Sequence, residues 1–404
     1  MMNASMMISA MDTSLYMDTT TARTLSRSRA GPSAIAKPKF VRFTNSTQTG
    51  RNVSKVRWLL DNSYMGVPDP YASEYFVSGS WSSVGDVNDI CLWGLDVGPS
   101  AKEGEKDSKV TLITKAVVKG NVTDMSVLSG DRFCLCTSDG ALYVYKGNKN
   151  RDEKFVSVTQ AAAGQLFSYR GRNSHATAIA VKDDVIVTGG EDGSIVECNS
   201  AGLNVIRRLE RVDPLSITTA CFVGRNEVMT GNGGGQLKLW DLRNNSNEPV
   251  QILNPNVLMN NLYGVSSICQ HPSQTHAVIV GYQSGCMDLW DMRLGPECDP
   301  IANLAGEGGS LSEIYFHQIN SDHFFSCAQS GQVCHWYPGE RLSNPLQVPV
   351  EYTTDLNIEF LKKGLVFKEV HTSPFPINSM SLSRNDRIVV GSDSGVVFCT
   401  EIRV

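Results

Sequence analysis

Two histidine pairs are the first feature of this chain that could support chemistry, because histidine is a common metal ligand. His271 and His276 are five residues apart, and His317 and His323 are six apart, within the turn-like sequences HPSQTH and HQINSDH. A zinc site needs three or four ligands at short spacings, typically as CxxC or HExxH. Neither motif occurs in the sequence. We therefore predict structural roles for these histidines and no bound metal.

A glycine-rich stretch is the second such feature, because glycine loops can cradle phosphate groups. Residues 231–235 read GNGGG, but no lysine followed by serine or threonine stands in the P-loop frame. A hairpin turn explains the glycines fully. The nucleophile motif GxSxG and the kinase motifs are also missing from the sequence. The sequence therefore predicts no catalytic residues and no cofactor, and the protein is expected not to be an enzyme.

The charge balance narrows the class of partner. The 404 residues contain 36 Lys and Arg against 41 Asp and Glu, for a net charge of −5. Residues 1–39 contribute +3, which leaves −8 on residues 40–404. Nucleic-acid-binding domains carry an excess of positive charge, and no apolar run approaches the ~20 residues of a membrane span. We expect neither direct nucleic-acid binding nor membrane insertion.

The cysteines indicate a reducing compartment. There are eleven, an odd number without a CxxC pair, spread from position 91 to position 399. This pattern is typical of buried thiols in a cytosolic or nuclear protein. Cys134 and Cys136 alternate along one predicted strand, so they share a face, which we place in the core.

The first 39 residues differ from the rest of the chain. They are rich in Met, Ser and Thr and show no periodic apolar pattern. Such a segment cannot bury enough surface to offset its conformational entropy, so we predict a disordered tail over 1–39. Residues 19–39 bear serine and arginine and lack acids, which also fits a transit peptide. Asp12 and Asp18 favour the plain tail.

A repeat runs through everything after residue 40. Its clearest copy is residues 235–240 (GQLKLW), a glycine followed by an apolar alternation that ends in tryptophan. Equivalent end positions are Trp93, Tyr145, Cys198, Trp240, Trp290, Trp336 and Thr400, spaced 42 to 64 residues apart. Propeller blades of the WD type repeat about every 40–45 residues, and loop insertions lengthen the interval. The spacing therefore predicts seven blades with insertions.

Short β-rich runs flank each repeat and give four strands per unit. The predicted fold is all-β, a seven-bladed WD40-type β-propeller over residues 40–404. After Thr400 only four residues remain, so the last blade lacks its outer strand. A spare run, residues 40–43 (FVRF), precedes the first blade. We predict that this run completes the last blade and closes the ring.

The repeat positions are predicted to be structural: Trp93, Tyr145, Trp240, Asp241, Trp290, Asp291 and Trp336. Each ring should pack between neighbouring blades, with the indole N–H donated to a hydroxyl such as that of Thr230. The third blade also carries His175, Thr188 and Asp192, the residue types of the hydrogen-bond network usual in WD blades. Its tryptophan position, however, is Cys198.

Partner binding is expected in the inserted loops, because a rigid disc presents loops and edges to partners. Residues 254–264 hold Leu258, Met259 and Tyr263, and the long interval 338–376 contains Phe360. These four residues are the candidate partner-binding residues. Residues 356–361 (LNIEFL) are either locally packed, as a helix on the disc, or a binding site, and local packing is the favoured interpretation.

Several of these segments together resemble the small, forty-three-kilodalton class of WD-repeat nucleoporins of the Y-shaped nuclear pore subcomplex. The resemblance is carried by residues 54–58 (SKVRW), 76–81, 90–93, 190–194, 235–243, 247–253 (NEPVQIL), 271–276, 289–293 and 330–336. It implies a non-enzymatic scaffold subunit in the outer ring of the pore. It further implies binding to helical-solenoid nucleoporins, support of mRNA and protein transport, and location at the kinetochore in mitosis.

Two other classes stay open. Substrate receptors of cullin-RING ubiquitin ligases are WD propellers whose WDxR endings contact an adaptor, and this chain has WDLR at 240–243 and WDMR at 290–293. Arg243 and Arg293 could equally pair with acids on a neighbouring strand, which we favour. A reader of phosphoinositides or chromatin tails would need a basic or aromatic cage, which the sequence does not reveal.

Overall fold

The computed structural model describes residues 45–59, 74–97, 108–152, 154–244, 246–253, 263–295, 299–306, 308–339, 358, 361, 364–384 and 386–402. The predicted tail 1–39 and the run 40–43 lie outside these residues, as do Leu258, Met259 and Phe360.

Within the described residues the strands form seven four-stranded antiparallel sheets and one small hairpin, which confirms the predicted propeller. The first strand of the described residues is β1 (Asn45–Gln48), which belongs to the last blade. Blade 1 contains β2 (Asn52–Trp58), β3 (Glu74–Trp81), β4 (Val87–Val97) and β5 (Ser108–Lys119), and blade 2 contains β6 (Val122–Ser129), β7 (Arg132–Thr137), β8 (Ala141–Lys149) and β9 (Phe155–Gln165). The hairpin β10 (Ser168–Tyr169) and β11 (Arg172–Asn173) follows blade 2.

Blades 3 to 7 repeat the same order. Blade 3 contains β12 (Ala176–Lys182), β13 (Val185–Gly190), β14 (Ile195–Asn199) and β15 (Val205–Leu209), and blade 4 contains β16 (Ile217–Phe222), β17 (Glu227–Asn232), β18 (Leu237–Asp241) and β19 (Gln251–Leu253). Blade 5 contains β20 (Val265–Gln270), β21 (Ala277–Tyr282), β22 (Cys286–Asp291) and β23 (Ala302–Ala305), and blade 6 contains β24 (Leu311–Phe316), β25 (Phe324–Ala328), β26 (Gln332–Pro338) and β27 (Leu365–Thr372). Blade 7 contains β28 (Ile377–Leu382), β29 (Arg387–Ser392) and β30 (Val396–Glu401).

An N-terminal strand closes the last blade, as predicted. β1 pairs antiparallel with β30, from Asn45 opposite Cys399 to Gln48 opposite Val396. The Thr49 amide also donates to the Gly395 carbonyl at 2.8 Å. The closing sequence NSTQ is polar, because an outer edge strand needs backbone bonds rather than an apolar face. Residues 40–43, to which the prediction assigned this role, lie outside the described residues, and the described closing strand is Asn45–Gln48.

The seven innermost strands are neighbours around a ring, and each contacts the next, from β2 through β28 and back to β2. The hydrophobic core is divided into wedges between consecutive blades. One wedge joins Trp58, Phe76 and Trp93 of blade 1 to Val389 and Val397 of blade 7. Burial of these large side chains is the main source of stability.

A polar side chain at the second position of the inner strand links most blades to the next one. In four of these links it donates to the carbonyl of the residue that starts the following inner strand, and in the fifth it donates to Val53, the second residue of β2. The pairs are Thr123 to Ala176, Thr177 to Ile217, Thr218 to Val265, Ser312 to Ile377 and Asn378 to Val53. The corresponding Ser54 donates within its own blade, to Gly79. These bonds fix the spacing between blades near the ring axis.

A glycine in the second strand makes room for the same junction. A Cβ added at Gly231 would lie 2.6 Å from the Cβ of Val265, the first residue of the next inner strand, and Gly79, Gly189, Gly281 and Gly391 are crowded by the following blade in the same way. A side chain at these positions would push the blades apart.

The interval 338–376 is partly regular structure. β27 pairs with β26 as the outer strand of blade 6, so part of the predicted insertion belongs to the repeat. Ile358 and Leu361 are buried. Burial of these two residues agrees with the interpretation of residues 356–361 as locally packed.

Candidate interaction surface

The repeat aromatics lie in the interior of the blades. Trp93, Trp240 and Trp336 end or occupy third strands and are at most 3% exposed. The Trp240 indole donates to the Thr230 hydroxyl at 2.9 Å, and serine hydroxyls accept from Trp93 and Trp336. The indole of Trp290 is also buried, with Val280 at the position where the blades of Trp93, Trp240 and Trp336 have a hydroxyl. Tyr145 stacks on Phe133 at a centroid distance of 5.5 Å.

Each WD aspartate accepts hydrogen bonds from the arginine that follows it by two residues. Asp241 accepts from the Nε and Nη2 atoms of Arg243 at 3.0 and 2.8 Å, and Asp291 accepts from Arg293 in the same forked geometry. The hydrogen bond from Arg243 lowers the pKa of Asp241. The WDxR turn thus brings each arginine back onto the aspartate of its own repeat, whereas a partner on a neighbouring strand was predicted.

The expected hydrogen-bond network of blade 3 does not form. The His175 ring faces Glu191 at 3.5 Å and both side chains are exposed. Thr188 donates to the Ala178 carbonyl, and Asp192 accepts from the Ser194 amide. Cys198 explains the difference, because it offers no indole N–H to donate to the Thr188 hydroxyl oxygen.

The histidines cap turns between the first and second strands of blades 5 and 6. Nδ1 of His271 accepts the Gln274 amide at 3.0 Å, and Nδ1 of His317 accepts the Asn320 amide at 2.9 Å. Nε2 of His317 lies 2.8 Å from Asp386 of the next blade. Within the described ranges no three His, Cys, Asp or Glu side chains gather as a metal site would require.

A histidine that the sequence did not single out lies deeper in blade 6. His335 stacks on Phe325 at 4.4 Å, and its Nε2 lies 3.0 Å from Nδ1 of His323. Burial lowers the pKa of His335 to about 3, so the ring is neutral near pH 7. Its position on a strand rather than in a turn hid this pairing from sequence reasoning.

A buried ionic cluster spans the central channel. The carboxylate of Glu313 on β24 contacts Lys55 at 2.6 Å and Arg57 at 2.9 Å, both on β2. Asp124 on β6 lies 3.5–3.6 Å from the same two cations. Glu313 also accepts from the Ser379 hydroxyl of β28 at 2.8 Å. The inner strands of blades 6, 7, 1 and 2 are thereby linked through one set of charges.

The electrostatics of this cluster favour the ionised form of the glutamate. Burial alone would raise the pKa of Glu313, but the charges of Arg57 and Lys55 and their hydrogen bonds outweigh it and lower the pKa to about 2. Breaking such a buried arrangement leaves charges without compensation, so the cluster holds the ring in one geometry.

The two ends of the strands define two faces of the ring. We call upper face the one with the linkers between blades and the turns between second and third strands, and lower face the other. The upper face exposes five large apolar side chains: Val84, Tyr169, Leu215, Tyr263 and Phe375. The lower-face turns expose two, Val250 and Ile319. Aromatic side chains are enriched at protein interfaces, and Tyr169, Tyr263 and Phe375 are exposed on the upper face, so the upper face is the candidate interaction surface.

One candidate partner-binding residue lies in the described region. Tyr263 is 43% exposed and belongs to the linker that enters blade 5 on the upper face. Leu258, Met259 and Phe360 fall outside the described residues. Among the described residues, no helix has the length and apolar character needed to cross a bilayer.

Comparison with known proteins finds that this chain is similar to small nucleoporins. No family model matches the chain. It is 29% identical to the nucleoporin Nup43 of Homo sapiens over 71% of this chain and 73% of that protein, and equally identical to Nup43 of Mus musculus over the same shares. It is 26% identical to the nuclear pore complex protein NUP43 of Arabidopsis thaliana over 83% of this chain and 90% of the relative. The chain is thus a WD-repeat propeller and a homologue of the Nup43 nucleoporins, as the resemblance of its blade motifs predicted.

Proposed function

We propose that this protein is a non-enzymatic scaffold subunit of the nuclear pore complex, located in the outer ring at the nuclear envelope. The observation that carries the proposal is the similarity to Nup43 proteins from animals and a plant, which extends over most of the propeller. The proposed partners are the helical-solenoid nucleoporins of the Y-shaped subcomplex. Through them the protein supports mRNA and protein transport, and it moves to the kinetochore in mitosis.

The construction of the ring supports a scaffold role. Buried charges join the blades, as in the pairs Lys238–Asp213 at 2.9 Å and Arg387–Glu74 at 3.1 Å. A ring that is fixed from within presents its surface without reorganisation, which lowers the entropic cost of docking. The apolar side chains of the upper face supply the desolvated contacts of such an interface.

The test is where the protein is located in its own cells and which proteins co-purify with it. A fluorescent tag on the endogenous protein should give a punctate nuclear rim, and purification of the tagged chain should recover outer-ring nucleoporins in near-equal amounts. Recruitment to kinetochores is scored separately in mitotic cells. A diffuse signal without co-purifying nucleoporins would overturn the proposal.

The same purification distinguishes the ubiquitin-ligase alternative. Recovery of a cullin adaptor that is lost with Arg243→Ala and Arg293→Ala would favour a substrate receptor. Both guanidinium groups are partly exposed, but each is bonded to the aspartate of its own repeat. This geometry gives the arginines a structural role and favours the scaffold.

A further inference from the structure

A positive patch interrupts the acidic surface of the ring between blades 2 and 3. No Asp or Glu occurs in residues 155–182, although residues 40–404 carry a net charge of −8. The hairpin β10–β11 within that stretch presents Arg170 and Arg172, and the linker after blade 3 presents Arg211. All three arginines are exposed. The hairpin and this linker both belong to the upper face, because each leads from an outer strand to the next inner strand.

One tyrosine organises two of these arginines. The ζ carbon of Arg211 lies 4.6 Å from the centre of the Tyr169 ring, and that of Arg170 lies 5.1 Å from it. Both contacts are cation–π interactions, which orient the guanidinium groups without neutralising them. The two like charges are therefore no more than about 10 Å apart, a distance at which they repel each other in the absence of an anion.

The backbone holds the same arginines in a conformation that arginine disfavours. Arg170 has φ +50° and is followed by Gly171 at +76°, so the hairpin turn has two left-handed residues. Arg211 has φ +48°. The left-handed region disfavours a residue with a Cβ, and asparagine or glycine would fit better. Such unfavourable choices are concentrated at functional sites.

Two acids near the hairpin, Asp139 and Glu191, contact other groups, whereas Glu210, next to Arg211 in the chain, is exposed. Asp139, in the turn between β7 and β8, contacts Nζ of Lys119 at 2.8 Å and accepts from the side-chain amide of Asn173 at 2.7 Å. Glu191 faces His175. Among the described residues, none of Arg170, Arg172 and Arg211 forms an ion pair with a carboxylate. The N–H donors of their guanidinium groups are available to a ligand.

We propose that Tyr169, Arg170, Arg172 and Arg211 form a docking site for an acidic segment of a partner protein. Guanidinium groups bind carboxylates through two parallel hydrogen bonds. An extended peptide presents alternate side chains about 7 Å apart, which suits two arginines held around one ring. The positive patch on an acidic disc also steers an acidic segment to this point. The inference rests on charge and geometry and does not depend on the pore assignment.

An acidic polypeptide fits this site better than a nucleic acid. Three arginines give few phosphate contacts, and the surrounding excess of acid repels a long polyanion. The Tyr169 ring is also occupied by two guanidinium groups, which leaves little of it for base stacking.

The test is a fluorescence anisotropy titration of the purified full chain. The probe is a labelled peptide of about ten residues in which glutamate alternates with serine, so that acidic side chains lie about 7 Å apart along one edge. A labelled single-stranded RNA of the same length is titrated in parallel. The docking-site variant combines Arg170→Asn, Arg172→Gln and Arg211→Asn, and the asparagines keep the left-handed turns.

A matched control removes three positive charges from the opposite face. Arg151, Arg225 and Arg384 are exposed in lower-face turns, and the control changes each to Gln. We expect the docking-site variant to weaken peptide binding at least about tenfold and the control by less than about twofold, because the charges act within a Debye length. Tyr169→Leu keeps every charge and should weaken binding about threefold through loss of the cation–π contacts.

Three outcomes would overturn the proposal. They are no peptide binding by the wild-type chain, equal weakening in the docking-site and control variants, and tighter binding of the RNA with loss in the docking-site variant. Melting curves of each variant verify that it folds. Because the measurement uses a defined peptide and purified protein, its failure leaves the localisation test of the pore proposal unaffected.

Discussion

Replacing Glu313 with glutamine should strongly destabilise the ring. The substitution keeps the size of the side chain but removes the charge that two cations share, Lys55 at 2.6 Å and Arg57 at 2.9 Å. With an effective dielectric constant of about 20, each contact corresponds to roughly 6 kcal/mol of Coulomb energy before desolvation. Desolvation of the ions offsets much of this energy. Removing one partner of a buried pair typically costs about 3–5 kcal/mol, and we expect Glu313→Gln to fall in that range.

Asp124 reduces the destabilisation caused by Glu313→Gln but does not prevent it. It lies 3.5–3.6 Å from both cations, farther than Glu313, and is itself only partly buried. The exposed pair of Asp131 and Lys146, at 3.7 Å, provides a matched control. Because exposed pairs contribute at most about 1 kcal/mol, Asp131→Asn should leave the free energy of unfolding within that margin.

The pH dependence gives a second, independent readout. The pKa of Glu313 is about 2 in the folded chain, below the ordinary value of about 4.3. A depressed folded-state pKa contributes stability above the unfolded value, and that contribution is lost as pH falls toward the folded value. The difference in free energy of unfolding between wild type and Glu313→Gln should be constant above about pH 5 and narrow between about pH 4 and pH 2.

Urea unfolding followed by tryptophan fluorescence measures both effects. If Glu313→Gln lowers the free energy of unfolding by less than about 1 kcal/mol at pH 7, the reasoning is refuted, because the cluster would then be solvated like a surface ion pair. A difference that does not narrow at low pH would refute the assignment of the effect to ionised Glu313.

Three further predictions concern the blade junctions, the closing strand and a buried histidine. Gly231→Ala should cost about 1–3 kcal/mol in urea unfolding because the added methyl meets the next blade, whereas Gly295→Ala, with open space around it, should change little. A chain lacking residues 1–49 should be about 1–3 kcal/mol less stable than one lacking 1–44, because the latter keeps the strand that pairs with β30; equal melting temperatures would contradict this. The pKa of His335 is lowered to about 3 in the folded chain, so this side chain is protonated below about pH 6.5 only in the unfolded chain, and the free energy of unfolding falls with pH. His335→Gln should therefore flatten the decline in melting temperature between pH 7 and pH 5.

Repeat spacing was enough to predict the fold because each blade carries its own copy of the signal. The seven repeat end positions predicted from the sequence, from Trp93 to Thr400, all lie in the third strand of a blade. A second repeat at the inner strands could also have been found: an apolar residue followed by Ser, Thr or Asn, as in residues 122–123 (VT), 217–218 (IT) and 311–312 (LS). It marks the side chain that links each blade to the next.

The interaction surface could not be predicted in the same way. Glu313 and Arg57 are 256 residues apart, and only ring closure brings them together. The cation–π contact between Tyr169 and Arg211 likewise joins two different linkers. Single features of this kind have no second copy in the chain, so periodicity carries no information about them.

Closure of the ring depends on more than the strand that completes the last blade. β1 adds a short polar edge to blade 7, but the boundary between blades 7 and 1 is held from within. Asn378 donates to the Val53 carbonyl at 2.9 Å, and the Trp58 indole donates to the Ser381 carbonyl at 3.0 Å. These bonds are buried or partly buried, and they lie beside the wedge of core shared by the two blades. Loss of β1 should therefore expose the edge of β30 and promote edge-to-edge association before it opens the ring.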